Sequence, residues 1–476
     1  SAQVFPKSQL LWIYLKSLGC EKWVILHRNF THHRIKHFLL TMHKRLLCCA
    51  CVCMLMPSYG MAQTQRRLTA NELFSMIESG NNTLNATKTG MSVAAQGIEE
   101  AKNKRLPDIG ASLSLSYTGN VLITDRNFSH AKGASQPHFG NSFALEAQQV
   151  VYAGGAITTG IKLAELQKSV AENAVTLTRN QLRFIAIGQF LELSKLDNGI
   201  KVYDSNIALT ERLIADIKAK QTQGMALKND VTRYELQIES LKLGKRQLED
   251  QKSILSHQLC NALDIEDAII VPDIDLTATS YELMSEKDLQ SDALVNAPQI
   301  RQSELAANVA EQHLKLAKSE LLPKVAVVAA DNFSGPFTYD IPPINKNFNV
   351  WYVGVGVKYS LSSLFKTPKS VRRAEAQLRQ SQEAHAVTNE NVNNQVHQAY
   401  TMHQQAYVEL RTQQKSVELA NQNFQVVQNR YANQLALITD MIDASNVKLN
   451  AELQEVNAQI NIAYTYYNVK YVTGKI

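Results

Sequence analysis

Cysteine is scarce over most of this 476-residue chain. Five of the six (Cys20, Cys48, Cys49, Cys51, Cys53) precede Gln63, and only Cys260 follows. A lone thiol excludes an intrachain disulfide beyond that point. Charge of one sign is lacking too. Eight of the 49 Lys and Arg lie before Gln63 against one acid, Glu21, so the rest is close to neutral and gives no electrostatic case for nucleic acid. The chain after residue 62 has no P-loop, no GxSxG, no HExxH and no His/Cys cluster, so neither enzyme chemistry nor a cofactor is implied. His257, His313, His397 and His403 are scattered and expected on solvated helix surfaces. Proline is missing between Pro137 and Pro272 and after Pro368. Those two tracts are where long helices can run without a break.

The early cysteines sit in what reads as a leader. Met42-His43-Lys44-Arg45 is a short basic start, "LLCCACVCMLM" an apolar run, and "SYGMAQ" places Gly60 and Ala62 as small residues before a cleavage point. The expected divisions are an over-extended reading frame over 1–41, a signal peptide over 42–62 and a mature start near Gln63. A lipidated Cys51 or Cys53 is the alternative form of anchoring.

In the mature part, the first proline-free tract predicts a helix from Ile157 to Gln223, roughly 100 Å long at 1.5 Å per residue, a turn at Gly224, and a second helix over 226–262. The second tract predicts helices from Lys369 to Arg430 and on to Val472, broken near "YANQL". Tyr234, Leu241, Leu248 and Leu255 are spaced seven apart, as are Leu410, Val417, Phe424 and Tyr431. That spacing makes neighbouring helices coil left-handedly around each other. The remaining faces are polar, which suits either a solvated coiled coil or the wall of a hollow tube.

Three pairs of segments align at offsets of roughly 210–216 residues: "EEAKNKRLPDIG" with "KLAKSELLPKVA", "KLAELQ" with "RRAEAQ", and "GMALKNDV" with "QLALITDM". The expected organisation is a first repeat over 63–265, an inter-repeat segment over 266–289 and a second repeat over 290–476. Each repeat reads helix, strand, loop, strand, long helix, turn, helix.

The strands carry the functional signal. "ASLSLSYT" alternates strictly, with Leu113, Leu115 and Tyr117 on one face and serines on the other. In the strand expected over 348–361, Trp351, Val353, Val355, Val357 and Tyr359 share a face. Aromatics at both ends of an apolar band are what a membrane-barrel strand needs. The four strands expected near 109–119, 140–152, 324–332 and 348–361 cannot close a barrel, and open edges are very costly in lipid. Two copies would make a barrel too tight for a channel, whereas three would enclose water. The strand-to-strand loops lie away from the helices, so a barrel in an outer membrane would carry its helices in the periplasm.

In the passages "RLPDI" and "LLPKV", in "QVVYAGG" with "AE" ten residues on, and in the turns "TQGMALKNDV" and "NRYANQLALITDMIDA", the chain resembles the TolC-like outer-membrane efflux protein family. The resemblance spans about Leu68 to Ile476. It implies a mainly α fold with a membrane β-barrel. Long helical hairpins would form a periplasmic tube, and four strands per chain would enter a trimeric twelve-stranded barrel. It implies a homotrimer in outer-membrane lipid, a periplasmic adaptor and an inner-membrane pump, with no enzymatic activity. It also implies a periplasmic gate at the helix tips, where Asp440 and Asp443 match two pore-ringing acids. Asp230 matches an acid of the partner hairpin, and Tyr431 a tyrosine linking the hairpins. Gln434 stands where a glycine is usual, and Ala436 where some members carry a basic latch. An acid just inside a helix start also complements the dipole and free N–H groups, which explains Asp230 and Asp440 without a gate. The rival reading is a periplasmic coiled-coil scaffold or adaptor without a membrane channel.

Overall fold

The chain divides into residues 1–62 and Gln63–Ile476. The computed structural model describes residues 65–274, 281–338 and 342–476. The expected reading-frame extension, the signal peptide and the five early cysteines lie outside the described residues, as does part of the inter-repeat segment.

The second unit opens with a short strand, β1 (Gln65–Leu68), and two helices, α1 (Ala70–Gly80) and α2 (Asn82–Asn103). Thr69 and Glu72 start α1 as a reciprocal pair. Thr69 Oγ1 accepts from the Glu72 N–H at 3.3 Å, and the Glu72 carboxylate accepts from the Thr69 N–H at 2.8 Å. The first sheet strands follow as β2 (Asp108–Tyr117) and β5 (Phe139–Ala153). The loop between them is not wholly irregular: β3 (Val121–Ile123) and β4 (Lys132–Ala134) pair within it as a small antiparallel hairpin. Then come the long helix α3 (Ala156–Thr222) and its return α4 (Lys228–Leu263). The second half runs β6 (Ile269–Pro272), α5 (Glu286–Asn296), α6 (Pro298–Ser319), β7 (Lys324–Gly335), β8 (Phe348–Lys358), α7 (Ser363–Ala432) and α8 (Ile438–Val472). β6 pairs in parallel with β1, so part of the inter-repeat segment closes against the start of the unit. Among the described residues, no helix is long and apolar enough to cross a membrane.

Three expectations are corrected. α7 begins at Ser363, not Lys369, and carries Pro368 inside it. At its sixth position this proline forfeits one backbone bond, to the Leu364 carbonyl, which a 70-residue helix absorbs. β8 ends at Lys358, so Tyr359 lies just past the strand. His403 is not solvated: it is buried, with Nε2 2.8 Å from the Tyr281 carbonyl and Nδ1 2.9 Å from Thr465 Oγ1. Its helix face turns toward α8 and the segment after β6, and helical spacing alone does not say which polar face finds a neighbour.

The core is spread along the helices. Leu73 and Ile77 of α1 meet Ile187 and Phe190 of α3, Leu259 and Cys260 of α4, Ile270 of β6 and Ala463 of α8. A second cluster joins α5, α7 and α8 through Leu289, Val396 and Val469. A third lies at the far end of the long hairpins. Of the heptad rows, Tyr234, Leu241 and Phe424 are buried and the other five positions are partly buried, so the seven-residue spacing marks the seam between helices.

Candidate functional site at the helical tips and the sheet face

Both long hairpins turn by the same hydrogen-bond pattern. After α3, the Met225 N–H donates to the Lys220 carbonyl at 2.9 Å and the Gly224 N–H to the Gln221 carbonyl at 3.0 Å. After α7, the Leu435 N–H donates to the Arg430 carbonyl at 2.8 Å and the Gln434 N–H to the Tyr431 carbonyl at 3.1 Å. These are paired closures around a left-handed residue, normally glycine. Gly224 has φ +75°, and Gln434 is forced to φ +61° at the same point of the second turn.

The return helices start alike. The Asp230 carboxylate accepts from the Leu227 N–H at 3.0 Å, and the Asp440 carboxylate from the Leu437 N–H at 2.9 Å. Both acids therefore satisfy a free backbone donor at a helix start. Asp440 and Asp443 are exposed, one turn apart on α8. Behind them Leu213 and Ile217 of α3, Val231 and Tyr234 of α4, Phe424 of α7, and Ile438 and Met441 of α8 form a closed apolar cluster. Tyr431 is half-buried beside it. The Lys220 ammonium sits 5.2 Å from its ring centroid, a cation–π contact between the two hairpins. Burial, and then the negative Asp230, push the Tyr431 phenol above its ordinary value. Tyr431 thus feels the Asp230 charge and carries Lys220 over its ring, whereas Asp443 is exposed. Tyr234 emerges only from the structure: it is fully buried with its hydroxyl unpartnered among the described residues, and burial raises its phenol further still. Its heptad position signalled the burial but not the orphaned hydroxyl.

At the other end, four strands form one antiparallel sheet in the order β2-β5-β7-β8. Residues directly opposite in an antiparallel pair share a face. The register pairs Leu113 with Phe143 and Phe143 with Phe333. One row on, Ala111, Leu145, Asp331 and Trp351 are aligned across all four strands, followed by Ile109, Ala147, Ala329 and Val353. Leu113, Leu115 and Tyr117 therefore lie on the same face as Trp351, Val353, Val355 and Val357. This face is bare: Leu113 is 69% exposed, Tyr117 80% and Trp351 72%. The opposite face is polar over β2 and most of β5, with Ser114, Ser142 and Ser334 in one row whose β8 member is Phe348. An exposed, largely apolar surface spread over four strands marks a face made for a membrane or a partner. The β2 and β8 edges carry no partner strand among the described residues.

Comparison with known proteins agrees with this geometry. Residues 289–475 match the family model described as outer membrane efflux protein. The matched segment, 187 of the chain's 476 residues, is similar to outer membrane efflux proteins. Among curated proteins, none matches by sequence. The likeness in fold extends beyond the matched segment. The outer membrane protein VceC from Vibrio cholerae superposes with a TM-score of 0.68 over 85% of this chain and 96% of its own, at 15% identity. The Campylobacter jejuni CmeC outer membrane channel gives 0.70 over 85% of both chains at 14% identity. The open state of the Neisseria gonorrhoeae MtrE outer membrane channel gives 0.67 over 85% and 88% at 13% identity. The likeness in fold therefore extends over the first half of the chain as well as over residues 289–475.

Proposed function

We propose that this protein is the exit duct of a tripartite efflux or type I secretion system. It is a passive, non-enzymatic channel in the outer membrane, with its long helices in the periplasm. The observation that carries the reading is the sheet register, which lays a largely apolar face, interrupted by Asn141, Asp331 and Asn349, over four strands and leaves both edges open. In lipid an unpaired edge costs several kcal/mol per backbone group. Copies of the chain joined β8 to β2 remove every edge, and three copies give twelve strands around a water-filled lumen. The apolar face then meets lipid and the serine rows line the pore. The two halves act as repeats, 63–265 and 290–476, about the segment 266–289. A periplasmic scaffold would leave the apolar face without a partner.

The helical tips form the periplasmic gate. Three chains bring Asp440 and Asp443 to one axis as six carboxylates, with Asp230 and Tyr431 holding the hairpins together behind them. Met225, Leu227, Leu435 and Leu437 are exposed apolar residues on the same turns and offer a docking surface to an adaptor that opens the tip for an inner-membrane pump. Like charges so close attract cations and raise one another's proton affinity.

Single-channel recording of the mature chain in a planar bilayer tests both parts. The expected result is a cation-selective conductance plugged by divalent ions. Asp440→Asn combined with Asp443→Asn should lower the selectivity and abolish the plugging. Extraction from membranes by urea, with no conductance, would refute the channel. A double variant with unchanged selectivity and block would reduce the two acids to helix-start residues.

A further inference from the structure

The start of α7 has a charge pattern that the rest of the chain does not explain. β8 ends at Lys358 and α7 begins at Ser363. Between and just beyond them Leu361 and Phe365 are 71% and 66% exposed. At about 100° per residue, Phe365, Lys366, Lys369, Arg372 and Arg373 fall within one arc of roughly 120°. All five are exposed, while Ala374 is buried and Thr367, Val371 and Leu378 are partly buried on the packed side. The first turn of α7 contains no acid. Nearby acids are already engaged: Glu375 by Lys318 at 3.5 Å and Glu320 by Lys324 at 3.1 Å. Among the described residues the four cations have no ion-pair partner.

Lys366, in the first turn of α7, opposes the positive end of the helix dipole, and four like charges within one arc repel one another. Only an external anion offsets that repulsion. The order along the chain identifies it. An apolar strand face comes first, then exposed Leu361, Leu364 and Phe365, then four cations within roughly 10 Å of helix at 1.5 Å per residue. Apolar side chains followed by basic ones over a few ångströms is the pattern of an element crossing from acyl chains into headgroups.

We propose that this arc docks anionic phospholipid headgroups of the periplasmic leaflet, forming a collar below the barrel. The inference rests on the barrel reading, because that reading sets which side of the strands faces the periplasm. Lys366, Lys369, Arg372 and Arg373 take the phosphates, and Phe365 lies at the acyl boundary.

The test uses the full mature protein reconstituted in an equal mixture of phosphatidylglycerol and phosphatidylcholine. It is extracted with its lipid shell, and the retained lipids are quantified by mass spectrometry. The shell should be enriched in phosphatidylglycerol by about fivefold, the effect of one engaged cation. Enrichment should fall as salt rises to about 0.5 M, and inorganic phosphate at equal ionic strength should not compete beyond that. Replacing Lys366, Lys369, Arg372 and Arg373 together by Gln should return the shell to the bulk ratio at normal conductance. The same change at Lys201, Arg212, Lys242 and Arg411, far along the helices, should not. Lys366→Arg with Lys369→Arg should keep the enrichment. A wild-type shell at the bulk ratio in a conducting channel would overturn the collar and leave the barrel standing, and equal loss on changing the remote cations would also overturn it. Absence of conductance in the wild type would overturn both.

Discussion

Gln434 and Gly224 occupy the same point of two turns with matching hydrogen bonds, yet only one of them is a glycine. A side chain at φ +61° crowds its own backbone, at a cost of about 1–2 kcal/mol, and glycine recovers part of that after its larger entropy loss on folding. Gln434→Gly should therefore stabilise the second tip by about 0.5–1 kcal/mol, read as a higher unfolding midpoint in detergent. Gly224→Gln should lower it. The departure at residue 434 was visible from the resemblance to the efflux family. Its cost was not, because the sign of φ is set by how the chain must turn between two packed helices. Asp230 and Asp440 are a mixed case. Their place after a turn announced helix-start acids, and the structure gives each the backbone N–H that such an acid needs. Asp440 remains exposed beside its bond, whereas Asp230 is partly buried.

Helices and strands were largely legible from proline spacing and alternation. α3 and α4 lie within a residue or two of expectation, and β2, β5 and β7 within three. The misses have a common cause. Pro368 seemed to forbid a helix that in fact starts five residues before it, because one lost bond is small against a long packed element. His403 was expected on a solvated helix surface because the histidines are scattered and form no cluster. It joins α7 to α8 through Thr465 and to the segment after β6 through the Tyr281 carbonyl. Burial lowers its proton affinity, partly offset by the Tyr281 hydrogen bond. The sign follows: the unfolded chain takes up this proton first as pH falls below about 6.5. The stability associated with neutral buried His403 is thus fully present above that pH and lost as pH drops through the lowered folded value. The unfolding midpoint should fall on going from about pH 7.5 to about pH 5. His403→Gln, which keeps a donor for the Tyr281 carbonyl, should make that fall shallower. An unchanged slope in the variant would show that other groups carry the pH dependence.

At the scale of the molecule, one chain is an incomplete object: a sheet with two bare edges, an apolar face with nothing on it, and long helices polar on several sides. An obligate trimer resolves all three. Mass measurement in mild detergent should give three chains, and a stable membrane-inserted monomer would refute the shared barrel. Trp351→Asp should reduce insertion, by less per chain than the roughly 2–4 kcal/mol that a basic residue costs at mid-bilayer, but threefold in the assembly. The sequence by itself determined which segments are helices, which are strands and which side of each strand is apolar, because these follow from spacing within a single element. It also determined that four strands could not suffice. Only the tertiary structure decided that β5 lies beside β7 in the register that merges the apolar sides of both halves into one face. Only the structure decided that Lys220 lies over the Tyr431 ring and that His403 is enclosed. Those facts depend on contacts between residues far apart in the chain. Periodicity fixes a side chain's direction relative to its own backbone, while its neighbour is chosen by the packing of the whole.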